Sequence, residues 1–137
     1  MKKGSALIFV IIVFGFFFFS AVFISKIVYN SCSAANALLE REQAFSLAEA
    51  GIEKGKTKLA QNPNWYTDLP YYQEDNPDWI MEQAAGEQFS LGEGSFKLVR
   101  EKDKNRLYSF GRKGKGRVVI KLSFSPPPFG SLGWKEL

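Results

Sequence analysis

Four sets of residues have the types and spacing to take part in chemistry. They are the Gly4-Ser5 step at the edge of an apolar run, the acidic group Glu74, Asp75 and Asp78, the aromatics Trp65, Tyr66, Tyr71, Tyr72 and Trp79, and a basic ribbon carrying Arg112, Lys113, Lys115 and Arg117. A small-residue step between a short basic start and an apolar helix is a candidate processing junction. Carboxylates suit an oxygen-seeking cation such as Ca²⁺. Aromatic faces suit sugar rings or a partner surface. A basic ribbon with Tyr108 and Phe110 nearby offers charge for phosphates and rings for base stacking, the ingredients of nucleic-acid binding.

Each set also has a plainer reading. The acidic spacing matches no calcium loop and reads as an exposed turn. The aromatics read as a lid over a small core. The ribbon reads as a solvated sheet face, or as a surface that meets the acidic segment of another subunit. Catalysis has less to work with. The chain of 137 residues has no His and one Cys, so there is no imidazole to act as base or ligand and no intrachain disulfide. Its serines lack a His partner and its carboxylates form no acid-base constellation. The reading is a non-enzyme, with no cofactor and no metal. Cys32, among Ser and Ala, reads as a small packing residue, with an intermolecular disulfide as the alternative.

The elements that position these residues begin with "SALIFVIIVFGFFFFSAVFIS", residues 5–25, which carries no charge. A helix rising 1.5 Å per residue needs about 20 residues to cross a bilayer core, so this segment can span. A cleaved secretory signal would have a shorter apolar stretch, about 7 to 15 residues. A permanent anchor fits the length, and Lys2 and Lys3 against Lys26 keep the N-terminus cytoplasmic and the remainder of the chain outside. The third reading takes Gly4-Ser5 as the junction between a leader, residues 1–4, and the helix.

From 26 to 61 the chain has no Pro and its apolar residues turn helical in rhythm. Leu38, Phe45, Ile52 and Leu59 recur every seven residues, with Leu39, Ala48 and Gly55 on the same broad face. Lys54, Lys56 and Lys58 suit a helix C-terminus, and Asn62-Pro63 stops it. One continuous helix from Ser5 to Gln61, about 85 Å long, is expected. Residues 62–93 are acidic and aromatic-rich, without Lys or Arg, and repeat "NPNW" and "NPDW". Asn76 as N-cap and Pro77 at the first helical position predict a short helix to about Ala85, whereas the first copy predicts a turn.

Over 94–125 the period changes to two. Phe96 and Leu98, then Tyr108 and Phe110, then Val118, Ile120, Leu122 and Phe124, predict an antiparallel meander of three strands, with a fourth at Gln88 to Leu91. It is basic: from Lys97 to Lys121 there are ten Lys or Arg against Glu101 and Asp103. Packed on the Leu38/Phe45/Ile52/Leu59 stripe it makes a two-layer α+β head. Pro126, Pro127 and Pro128 end the last strand and start an extended tail, 126–137.

The leader "MKKG", the apolar helix that follows at once and the run "QAFSLAEAGIEKGKTKL" together resemble the N-terminal region of type IV pilins and type II secretion pseudopilins, and within them minor pilins of the PilX and PulK kind. The motif that carries the likeness is Ala44, Phe45, Ala48, Glu49, Ala50, Gly51, Ile52 and Glu53, and the likeness covers the first sixty residues or so. It implies a pilin-like fold, cleavage after Gly4 by a prepilin peptidase and methylation of the new amine on Ser5. It also implies other minor and major pilins and an inner-membrane assembly platform as partners. Two positions depart from the family's pattern: Ser5 stands where a large apolar residue is usual, and Phe9 stands where a Glu normally pairs with a neighbour's amine. The implied role is initiation or tip formation in a pilus, a secretion pseudopilus or a DNA-uptake fibre. The competing reading is a single-span surface protein that never polymerises and whose head binds a ligand or nucleic acid.

Overall fold

The computed structural model describes residues 2–70, 76–127 and 130–137, the side chains of residues 2 and 3 excepted. The fold is α+β: a long N-terminal helix packed on a five-stranded antiparallel sheet. Helix α1 runs Lys2–Gln61 and ends where Asn62-Pro63 was expected to stop it. The chain divides into two units, residues 1–36 and 37–137.

In the first unit the large apolar side chains face outward, Phe19 and Tyr29 being about three-quarters exposed at 75% and 74%. Gly4–Gln61 is long and apolar enough to cross a membrane, and its most apolar window is unburied. None of the described residues covers these side chains, as expected of a surface whose solvent is lipid.

The second unit places strands β1 (Glu87–Leu91), β2 (Gly94–Val99), β3 (Arg106–Lys113), β4 (Gly116–Phe124) and β5 (Ser131–Glu136) in one sheet, ordered as in the chain. The sequence anticipated four of them. The fifth occupies the segment read as an extended tail. It pairs with β4 through Leu122↔Trp134 and Ile120↔Glu136, with a register shift at Ser123/Phe124. Its Gly and bulge interrupt the alternation that marks a strand.

Both faces of the sheet are covered, which corrects the two-layer expectation. On one face Ala44, Ala48, Ile52 and Leu59 of α1 pack with Leu107, Val118, Ile120, Leu122 and Phe124, and Leu47 packs with Phe96 and Leu98. On the other, helix α2 (Pro77–Glu82) brings Ile80, with Ala84 beyond it, against Val99, Tyr108 and Val119. Tyr108 and Phe110 therefore face α2, and the α1 face of β3 is Leu107, Ser109 and Gly111. Small residues are required there because the helix backbone comes so close. A Cβ on Gly111 would meet the Ala44 carbonyl and lie 2.7 Å from Ala48 N, and a Cβ on Gly51 would meet the Ser109 hydroxyl. Leu38 and Leu39 are 64% and 58% exposed, so the seven-residue stripe does not begin the core. The buried seam starts at Ala44 and follows the helical period through Ala48, Gly51, Ile52, Gly55 and Leu59.

Polar side chains tie the connecting segment to the sheet. Asn76 caps α2 by accepting from Trp79 N at 3.1 Å, as its sequence predicts, and Lys97 Nζ donates to the Met81 and Ala84 carbonyls at 2.9 Å each. Burial lowers the Lys97 pKa, and the charge on Asp68 offsets part of that. The Asp68 carboxylate accepts from Ala85 N and Gly86 N at 3.0 and 3.1 Å. Buried Arg100 donates to the carbonyls of Pro63, at 2.9 Å, and Trp65. These bonds satisfy backbone groups that a short loop would otherwise leave buried and unpaired.

Candidate functional site

The residues of the 44–53 motif divide by the helical period. Ala44 and Ala48 are fully buried, Ile52 is 6% exposed, and Gly51 is buried against Ser109 and Phe96. Phe45 and Ala50 are half-buried; Glu49 and Glu53 face outward. The small members of the motif thus form the seam on which this chain's own sheet docks. The outward members are left for other contacts. Glu53 is bonded to Lys56 at 2.6 Å, while Glu49 has no such pairing among the described residues. Phe45 lies against Trp134 of β5, ring centres 6.0 Å apart.

Between α1 and β5 the sheet is incompletely covered. A cavity of about 360 Å³ is lined by Lys56, Leu59, Ala60, Leu122, Phe124, Gly130 and Ser131. A second, of about 140 Å³, shares Lys56, Leu122 and Ser131 and reaches Glu49, Ile52 and Trp134. Gly130, just before β5, and Ser131 bring little side-chain bulk to the lining.

The processing candidates lie in the first unit. Gly4 and Ser5 fall within the first turns of α1 and are exposed, and Phe9 is 67% exposed among other apolar side chains.

The basic ribbon does not form one surface. Arg112, Lys113, Lys115 and Arg117 sit on the β3–β4 hairpin, where strand alternation sends neighbours to opposite faces. Lys113 pairs with Glu93 at 2.6 Å, and the backbone N of Lys115 donates to Glu40 at 3.0 Å. Arg112 and Arg117 are cross-strand partners on the α2 face. Neither has an ion pair or hydrogen bond to a described residue, and both are exposed. Two like charges directly opposite one another disfavour the hairpin, so this pair is the feature the fold itself does not use.

The aromatics are also divided. Trp65 packs on the α1 side, where its indole N–H donates to Glu87 at 3.0 Å, and Trp79 packs on the α2 side. They act as lids on opposite faces and share no platform. Tyr71, Tyr72, Glu74 and Asp75 lie outside the described residues; Asp78 is exposed on α2. Around Trp65, Lys58 bonds to Glu87 and lies over the indole ring at 5.1 Å, and that hydrogen bond, helped by the one from Trp65 against a smaller desolvation cost, holds the Glu87 carboxyl below its ordinary pKa.

Sequence reasoning missed Glu40, whose contact is 75 residues away in the chain, and Arg100, whose burial no local pattern announces. No protein-family model, curated protein or solved structure matches the chain.

Proposed function

We propose that this chain is a non-catalytic subunit of a pilus-like fibre, a minor pilin or pseudopilin that initiates assembly or forms part of the tip. The observation that carries the reading is a single uninterrupted helix, Lys2–Gln61, apolar all round in its first part and the packing spine of an antiparallel sheet in its last. One element then does two jobs: its apolar part holds the subunit in the cytoplasmic membrane before assembly, and its small-residue seam carries the head. Pilins of other kinds, a prepilin peptidase and an inner-membrane assembly platform are the partners this reading requires.

Phe9 supports placement at the distal end. In a stack where each subunit's buried carboxylate meets a neighbour's amine, an interior subunit without the carboxylate leaves an amine charge uncompensated, at about 3–5 kcal/mol for a broken buried pair. A terminal subunit has one neighbour fewer and escapes that cost.

Processing tests the reading. Co-expression with a prepilin peptidase should shorten the chain to begin at Ser5, read as intact-protein mass, and Gly4→Ala should block the change. An unaltered mass beside a control prepilin that is cut would instead favour a permanent single-span anchor.

A further inference from the structure

Arg112 and Arg117, without an ion pair among the described residues, have a counterpart on the same molecule. Helix α2 exposes Asp78 and Glu82, and neither makes an ion pair or hydrogen bond to a described residue. Asp78, in the first turn, has a local reason to be acidic, because it faces the positive end of the helix dipole. Glu82 has none: it ends the helix, where the dipole disfavours a negative charge. The fold therefore retains a carboxylate and an arginine pair, each against a local preference and each in a position to be compensated from outside.

Their spacings agree. Residues four apart on a helix have Cβ atoms about 5–6 Å apart, and directly opposed residues on paired antiparallel strands about 4.5–5.5 Å. Arg112↔Arg117 is such a cross-strand pair, so two guanidinium groups and two carboxylates can meet one to one. Both pairs also lie on one side of the sheet. Arg112 shares its face with Phe110, and Arg117 with Val119. Both of those residues belong to the cluster that α2 covers. Met81 of α2 and Arg112 line one small cleft, together with Gln88 and Ser95. A surface carrying both halves of a complementary pair is self-complementary under a two-fold axis: each copy offers its arginines to the other's carboxylates and receives the reverse.

We propose that the α2 side of the folded unit is a homotypic docking surface. In it, Arg112 and Arg117 of one copy engage Asp78 and Glu82 of a second copy, and the arrangement is repeated in the opposite sense. The inference does not rest on the fibre reading, since two membrane-anchored copies can meet this way whether or not they polymerise.

The test uses the full chain in detergent micelles, with association followed by sedimentation equilibrium. The wild type should dimerise, and dimerisation should weaken between about 0.1 M and about 1 M salt as the Debye length falls from about 10 Å to about 3 Å. R112E/R117E makes both patches acidic and D78K/E82K makes both basic. Each variant alone should lose affinity by about tenfold or more, as expected for like charges brought face to face. An equimolar mixture of the two should recover a heterodimer, which a misfolded variant could not do.

A monomeric wild type would overturn the proposal. So would variants that associate as the wild type does, which would place any dimer contact elsewhere. A labelled DNA duplex should be titrated alongside. If R112E/R117E abolishes duplex binding and leaves association unchanged, the arginines serve phosphates and the homotypic surface is refuted.

Discussion

Replacing Gly111 by Ala should cost this fold more than a single methyl group usually does. The added carbon would run into the Ala44 carbonyl oxygen, 2.7 Å from Ala48 N and 3.0 Å from the Ala44 carbonyl carbon. All of these are backbone atoms of α1, so no rotamer change relieves the contact. Overpacking that side chains can absorb costs about 1–3 kcal/mol. Here the helix itself must lift from β3, loosening Ala48 and Ile52 from Leu107 and Val118, so the cost lies at or above the upper end, about 3 kcal/mol. The lower entropy of an unfolded Ala chain returns about 0.4–1 kcal/mol. The net is about 2–3 kcal/mol, and at 4–8 °C per kcal/mol for a unit of about this size the Tm should fall by roughly 10–20 °C. Trp65, Trp79 and Trp134 all lie in the second unit, so intrinsic fluorescence of the full chain in detergent follows its melting alone. Gly51→Ala is the internal comparison. Its Cβ meets the Ser109 hydroxyl, a side chain that can turn away, so it should cost less than Gly111→Ala. A Gly111→Ala Tm within about 2 °C of wild type, less than 1 kcal/mol by the same conversion, would refute the close approach of helix and strand.

Ser109 supplies a prediction of opposite sign. Its hydroxyl is buried with no hydrogen-bond partner among the described residues, and such a group costs about 1–3 kcal/mol, so Ser109→Ala should raise the Tm in the same assay. The pH dependence follows from Glu87. Its carboxyl has a folded-state pKa below 4.5, chiefly through the hydrogen bond from Lys58. The stability it contributes is therefore fully present above 4.5 and is lost as the pH falls through the lowered value. Glu87→Gln should flatten the acid limb of a Tm-against-pH curve and leave its shape at neutral pH unchanged. The effect should be small because the group is partly exposed.

Much of the fold was legible because local chemistry is strong where it was read. Asn62-Pro63 ended α1 at Gln61, Asn76-Pro77 started α2, and the period-two runs marked β1 to β4. What escaped reading depends on contacts between distant segments. Leu38 and Phe45 looked like a stripe because large residues dominate a hydrophobic pattern, yet the seam is made by Ala44, Ala48, Gly51 and Gly55, whose small size lets two backbones approach. The same effect reversed the facing of β3. Tyr108 and Phe110 carry more apolar surface than Ser109 and Gly111, but α1 needs the small pair, and α2 takes the large one. Charge counting found the basic ribbon and could not tell that Lys113 would meet Glu93 while Arg112 and Arg117 would meet no ion-pair partner among the described residues. β5 was hidden by its bulge and its exposure, since a strand packed on one edge only has little alternation to show.

We propose that this chain is a fibre subunit placed at an end. Antibody against the 37–137 unit, carried on gold and applied to fibres sheared from cells that express the protein, tests it most directly. Label should sit at fibre ends, with fibre number falling more than fibre length when the gene is deleted. Label along the whole shaft would contradict the terminal placement argued from Phe9. Label absent from every fibre, with the processed or unprocessed chain retained in the membrane, would contradict the fibre reading itself.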